Sequence, residues 1–355
     1  MEMNEHLLGS DSQMVCAGTG FVALDLIQDR ESSVDAGLAT GGSCGNVLTI
    51  LAFLGWTSYP IVRLGTDEAY KQITHDMMRW NVQQDYVFSD ASVRTPIVLE
   101  EIYTNGSSKS SKFKLACPDC GTKYARYKSI LRGQTDPINR LERLDVFYFD
   151  RVRPNTVRLA KLAKQRGAMV VLEPSGIGSR DLFIEALDYV DILKYSRERL
   201  SKVTSITDGC RIPIEIETLD NDGLRYRLKL SCERTEWIQS PIVPVDLVID
   251  TVGAGDWCTS GIIHAIYSSR KSVRDICGRT SSEVAAAIEY GQTLASLQCR
   301  YVGARGMMYD PTMNLPAFEK TSLGRSERAL VNSSLFNSVR YSKASVKHFC
   351  SICQP

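Results

Sequence analysis

The residues with the most chemical content are Asp250-Thr251-Val252-Gly253-Ala254-Gly255-Asp256. An apolar stretch, PIVPVDLVI, leads into them. Ile262, Ile263, Ala265, Ile266 and Tyr267 then recur at helical spacing, so the string reads as a loop that ends in a helix. Two glycines around one alanine let the backbone turn tightly and approach a ligand closely. The first amides of a helix have no intrahelical acceptor, and with the helix dipole they form a site for an anion. A carboxylate at position 256, the last loop residue or the first helical one, is then placed to accept a proton beside a transferring phosphoryl group. The plain alternative is that Asp256 only caps the helix and the glycines only turn the chain.

Stepping outward, the elements that must position this string read as alternating strands and helices. Val15-Cys16-Ala17-Gly18 and Phe21-Val22-Ala23-Leu24 predict one buried first strand ending at Asp25. Ligands of open α/β sheets bind at the carboxyl ends of strands, so Asp25 either accepts hydrogen bonds from substrate hydroxyls or is a surface acid at a strand end. Thr40-Gly41-Gly42-Ser43-Cys44-Gly45-Asn46 is a glycine turn that feeds an amphipathic helix, VLTILAFLGW, closing near Gly55. Three further strands end in DVFYFD at Asp150, whose end points at the substrate cleft, AMVVLEP at Glu173 and DILKY at Ser196.

Two cysteine pairs stand apart from this pattern. Cys117-Pro118-Asp119-Cys120-Gly121 places two thiols two residues apart with a glycine relieving the turn, the geometry of a zinc knuckle. A structural zinc takes four ligands, and Cys350-Ser351-Ile352-Cys353, with His348 nearby, offers a second pair. One four-cysteine Zn2+ site would join the two regions; two unrelated surface pairs, or a redox pair, are the alternatives.

DTVGAGD resembles a signature of the ribokinase-like (PfkB) carbohydrate and nucleoside kinases, and GGSCGN before a helix resembles the GGxxxN signature of the same family. The resemblance covers roughly residues 14–308. It implies an α/β fold, a three-layer α/β/α sandwich with a mostly parallel central sheet and a small β lid. The implied organisation is a kinase domain at 14–310, lid segments at about 26–40 and 92–135, and a tail at 311–355. The implied activity is ATP-dependent phosphorylation of a hydroxyl on a sugar-like molecule, with Asp256 as base and Gly253, Ala254 and Gly255 as anion hole. Asp25, Gly41, Gly42, Asn46 and Asp150 would hold substrate. Lys194, Ser196, Thr218, Gly223 and Gln292 would meet the nucleotide. Asp250 and Thr251 sit where family members bind a monovalent cation such as K+, and Glu198 would act indirectly on Mg2+. The chain departs from the family pattern at Arg199, where an acid is usual, and at Asp220, where a glycine is usual. A nucleoside kinase and a non-catalytic member are the other readings, and family lids that pair leave a homodimer open.

Composition narrows the partners. Hydrophobic residues are 43% and charged residues 23%, an ordinary globular balance. The net charge of +1 gives no broad footprint for nucleic acid or an anionic membrane. No apolar run approaches the ~20 residues that span a bilayer. The polar start MEMNEHLLGSDSQM does not read as a secretory signal, so a cytoplasmic chain with its eleven cysteines reduced is expected. The expected partners are ATP and a small-molecule substrate.

Overall fold

The computed structural model describes residues 13–30, 35–105, 108–230, 234–268, 276–311 and 341–353. The polar lead-in and most of the tail read from the sequence lie outside the described residues. In chain order the elements are β1 (Val15–Thr19), β2 (Ala23–Asp29), β3 (Asp35–Gly41), α1 (Ser43–Phe53), β4 (Thr57–Pro60), β5 (Val62–Leu64), α2 (Glu68–Arg79), β6 (Val87–Ser89), β7 (Ile97–Asn105) and β8 (Ser108–Lys114). There follow α3 (Pro137–Arg140), β9 (Val146–Phe149), α4 (Pro154–Gln165), β10 (Met169–Leu172), α5 (Arg180–Leu187), β11 (Ile192–Ser196), α6 (Val203–Thr207), β12 (Ile214–Thr218), β13 (Leu224–Leu228), β14 (Ile238–Ser240), α7 (Ala254–Ser268), α8 (Ser281–Gln298) and β15 (Ser342–Ser345).

The central sheet has eight strands in the order β14-β13-β12-β11-β10-β9-β1-β4. From β12 to β4 all neighbours pair in parallel, and β13 and β14 add an antiparallel edge. Successive side chains of a strand leave on opposite faces, and here both faces are covered. Val146 and Tyr148 of β9 and Met169 and Val171 of β10 join a core with α1, α7 and α8. Phe147, Phe149, Val170 and Leu172 join a second core with α4 and α5. The fold is a three-layer α/β/α sandwich. Its parallel strands bring Asp150, Glu173, Ser196 and Thr218 to one edge of the sheet, where such folds bind ligands.

A second sheet, β15-β3-β2-β7-β8, carries the segments expected to form a lid and is labelled the lid sheet. Here the structure corrects the sequence reading. The expected single first strand is two strands in two sheets: β1 stops at Thr19, and the chain crosses to the lid as β2. The crossing is close, since a Cβ at Gly20 would fall 1.7 Å from Asp150 Oδ1. Asp25 therefore lies within a lid strand, opposite Ala39 of β3, and not at the end of a central strand. The expected amphipathic helix α1 is instead buried from Cys44 through Leu51, because it is enclosed between the sheet and α7.

Lid strand β3 is tied to the body by a buried cluster that the sequence did not announce. Arg305 Nη2 donates to the Thr40 carbonyl at 2.6 Å and to Asp76 Oδ2 at 2.6 Å. Tyr309 Oη donates to Asp76 Oδ1 at 2.6 Å, and the Thr40 amide donates to Asp76 Oδ2 at 2.8 Å. The Arg305 charge and these donors hold the Asp76 carboxyl below its ordinary pKa despite its burial. Removing one partner of a buried ion pair strands the other charge in a poorly solvating interior. Arg305→Met is expected to lower unfolding free energy by about 3–5 kcal/mol, read as a fall in the urea midpoint. Asp76→Asn leaves the buried Arg305 guanidinium, which cannot lose its charge, without a carboxylate, so it should cost a comparable amount.

Candidate active site

Helix α7 begins at Ala254, so Asp256 is its third residue and not a loop residue or an N-cap. The turn before it is fixed by backbone contacts. Gly253 has φ 79°, and a Cβ there would lie 2.2 Å from the Ala304 carbonyl oxygen, so no larger residue fits without moving the chain. Trp257 Nε1 donates to that same carbonyl at 3.1 Å. Asp250 binds the turn from the other side: Oδ2 accepts from the Gly303 amide at 2.8 Å, and Oδ1 accepts from the Val252 amide at 3.1 Å. Ser111 of lid strand β8 also donates to Asp250 Oδ1, at 3.0 Å. The Trp257 amide makes the first helical bond, to the Gly253 carbonyl at 3.0 Å. The Ala254 amide turns to the Thr251 carbonyl at 3.3 Å, which takes it from the predicted anion hole. The amides of Gly255 and Asp256 precede the first helical bond and have no acceptor within the helix. Gly255 and Thr251 are exposed.

Asp256 is bound by a residue of the other glycine motif. Asn46 Nδ2, in the first turn of α1, donates to Asp256 Oδ2 at 2.7 Å. Beside this pair, the buried Lys194 Nζ donates to Glu173 Oε1 at 2.5 Å and to the Gly255 carbonyl at 3.2 Å. Thr259 Oγ1 donates to Glu173 Oε2 at 2.6 Å. Burial alone would lower the Lys194 pKa, but the Glu173 carboxylate more than offsets this and the pKa is raised. Loss of hydration pushes the Asp256 pKa up to about 7, with the Glu173 charge adding to the rise and the Asn46 hydrogen bond and Lys194 opposing it. Asp150 is pushed up to about 6 by burial, against the pull of Arg151 and the Phe21 amide, which donates to its Oδ1 at 2.8 Å. Two buried polar atoms here lack a hydrogen-bond partner, Asn46 Oδ1 and Tyr148 Oη.

The remaining predicted residues fall into groups. Gly41 is packed on Asp25, and a Cβ there would meet the Asp25 carboxyl at about 1.9 Å. Gly42 has φ 76° and passes against the Phe21 carbonyl. Ser196 and Thr218 are register neighbours at the ends of β11 and β12. Gln292 on α8 donates to Ser240 Oγ at 2.7 Å, and Gly223 packs against the Ser240 carbonyl, so these two meet at the antiparallel edge. Lys194, grouped with them in the sequence reading, is buried beneath the α7 turn with its ammonium already bonded to Glu173. Glu198 and Arg199 are exposed on the turn after β11. Asp220 has φ 54°, a left-handed conformation that its short polar side chain tolerates. Glu173, legible only as an acid at a strand end, emerges as the partner that fixes Lys194.

Residues 150–311 match the family model for "pfkB family carbohydrate kinase". The likeness to the ribokinase-like PfkB kinases holds. The matched segment contains Asp256 but not the glycine turn with Asn46; the structure brings those two together. A curated relative, probable fructokinase-6, chloroplastic, from Arabidopsis thaliana, is 22% identical over 263 residues, which are 67% of this chain and 65% of that protein. The chain thus spans a little under two thirds of that relative's length. Among solved structures, aminoimidazole riboside kinase from Salmonella enterica, complexed with aminoimidazole riboside and an ATP analog, has a TM-score of 0.62 at 20% identity, covering 82% of this chain and 95% of that one. A double-mutant fructokinase from Vibrio cholerae O395 in fructose, ADP and potassium ion bound form has a TM-score of 0.60 at 17% identity, covering 83% and 95%. At these identities the structures establish the fold alone. No helix among the described residues is long and apolar enough to cross a membrane.

Within this fold, Asp25 is also buried among charged groups. Burial pushes its pKa up to about 7, with Arg305 pulling it down and Asp76 adding to the rise. A carboxyl whose folded pKa is raised binds its proton more tightly folded than unfolded, so stability falls as pH climbs from about 4 to about 7. Asp25→Asn removes that penalty while keeping the shape. The substituted protein should melt several degrees higher than the parent at pH 8, with the gain shrinking toward pH 4. A gain independent of pH would contradict this account.

Proposed function

We propose that this protein transfers the terminal phosphoryl group of ATP to a hydroxyl of a sugar or sugar-like molecule. The observation that carries this reading is the 2.7 Å hydrogen bond from Asn46 to Asp256 at the amino end of α7. It puts a carboxylate of raised pKa, an amide side chain and a helix terminus at one point, with Asn46 Oδ1 and Tyr148 Oη left for a polar ligand.

Asp256 orients the attacking hydroxyl and accepts its proton as the new bond forms. The Gly255 and Asp256 amides, with the dipole of α7, stabilise charge that develops on the transferred group. Lys194 acts through the Gly255 carbonyl and Glu173, holding the turn in place. Asp25, Gly41, Gly42, Asn46 and Asp150 form the floor on which substrate hydroxyls are held. Ser196, Thr218, Gly223 and Gln292 line the nucleotide side, with Glu198 near the phosphates. Magnesium, when bound, neutralises phosphate charge. Asp250 and Thr251 would hold a monovalent cation. The buried Glu100 stands beside Asp250 with Oε2 unpartnered and its pKa raised by burial and by Asp250, a pair of carboxylates that a cation fits. A nucleoside is the second acceptor class, favoured by the fold match to a riboside kinase and by the rings of Phe21 and Tyr127 flanking Arg151.

The test is phosphoryl transfer from ATP, with magnesium and potassium, to a panel of sugars and nucleosides. One acceptor class should turn over, and Asp256→Asn should lower its rate by about 10²–10⁴-fold. Because Asp256 must be ionised to accept a proton, kcat/KM should fall about tenfold per pH unit below about 7. No transfer to any acceptor, together with no ATP binding, would leave the non-catalytic reading in its place.

A further inference from the structure

The described part of the tail is built into the lid. β15 pairs antiparallel with β3, Ser342 opposite Leu38 and Ser345 opposite Asp35. Just before it, Tyr341 Oη donates to the Val302 carbonyl at 2.9 Å, and its ring packs against that of Tyr309, tilted by 49° with centroids 4.5 Å apart. Just after it, Val346, Phe349 and Cys350 enter the same core as Cys117 and Tyr124. This places the two cysteine pairs together. Cys117 and Cys353 sulfurs are 3.9 Å apart, Cys120 and Cys350 sulfurs are 3.5 Å apart, and all four lie within 4.8 Å of one another.

These distances discriminate between chemistries. A disulfide requires sulfurs about 2.05 Å apart. Four thiolates about 2.3 Å from a common centre in a tetrahedron stand about 3.8 Å from one another. The backbone is shaped accordingly. Gly121 has φ 74°, its amide donates to the Cys117 carbonyl at 2.9 Å, and the Cys117 amide donates to the Thr122 carbonyl at 2.8 Å. The amides of Asp119 and Cys120 point at the Cys117 sulfur, and the Thr122 amide points at the Cys120 sulfur. Amides directed at two sulfurs favour thiolates bound to a cation and orient them.

We propose that Cys117, Cys120, Cys350 and Cys353 bind one zinc ion that clasps the tail to the lid. Four thiolates in a closed tetrahedron leave no open position, so the metal is structural and not catalytic. Binding releases the thiol protons to solvent and joins segments 230 residues apart, so the ion holds β15 against β3 and thereby supports Gly41, on which Asp25 packs. The assignment stands independently of the proposed kinase reaction.

The full-length protein, purified without chelator under reducing conditions, is analysed for metals and by intact mass. About one zinc per chain is expected, released on titration of the thiols with an organomercurial. Replacement by cobalt should give the intense visible bands of tetrahedral thiolate coordination. Cys117→Ser/Cys120→Ser and Cys350→Ser/Cys353→Ser should each lose the zinc, and the second should raise amide hydrogen exchange in residues 35–41 and 341–345. Zinc retained by both double variants would overturn the proposal. So would wild-type protein with four freely titrating thiols and no metal, a mass short by the hydrogens of two disulfides, or iron in place of zinc. The wild-type measurements decide the matter even if a variant fails to fold.

Discussion

A carboxylate held in a poorly hydrated position at the start of a helix constrains much of this molecule. Asp256 is costly to ionise there, and its pKa of about 7 expresses that cost. What offsets it comes from three separate parts of the chain: the Asn46 amide from α1, the Lys194 ammonium from β11 and the amino end of α7 itself. None of these would be of use unless the glycine turn carrying Asp256 were fixed. It is fixed by Asp250 on the Gly303 amide and by Gly253 against the Ala304 carbonyl.

The same turn at 303–306 also serves the lid. Arg305 leaves it to hold Asp76 and the carbonyl of Thr40, the residue before Gly41, which packs on Asp25. One short segment therefore fixes both the end of β3 and the start of α7. This coupling explains why an arginine is fully buried at position 305. Its charge is matched by Asp76, and it also restrains the rise in the Asp25 pKa. Asp25, Asp150 and Asp256, with raised pKa values, each carry a stability penalty at neutral pH.

The lid is stabilised by more than its own strands. β15 covers the edge of β3 that would otherwise present unpaired amides and carbonyls. Tyr341 then joins that strand to the 302 carbonyl and to Tyr309, so the lid edge, the α7 turn and the Arg305 cluster share one packed seam.

Much of the fold was legible in the sequence. Short apolar strands ending in Asp150 and Glu173 can only pack in a sheet covered on both faces, and DTVGAGD before a helix-spaced run gives a tight turn with an anion site. The two glycine motifs carried the family resemblance, and the CPDCG spacing carried a knuckle. Where periodicity ran continuously over Val15–Asp25, it concealed the crossing between two sheets, because β1 and β2 are both apolar and only a tertiary contact at Gly20 separates them. The burial of α1 on all sides escaped notice for the same reason, since the covering layer comes from α7, some 200 residues away. Spacing likewise could not tell that Lys194 turns to Glu173, that Asp220 adopts a glycine-like conformation or that Arg305 meets Asp76. The sequence by itself determined the element types and the chemical character of each turn, which depend on neighbours along the chain. Only the tertiary structure decided which charges face one another, because pairing and desolvation depend on distances between segments that the order of residues does not contain.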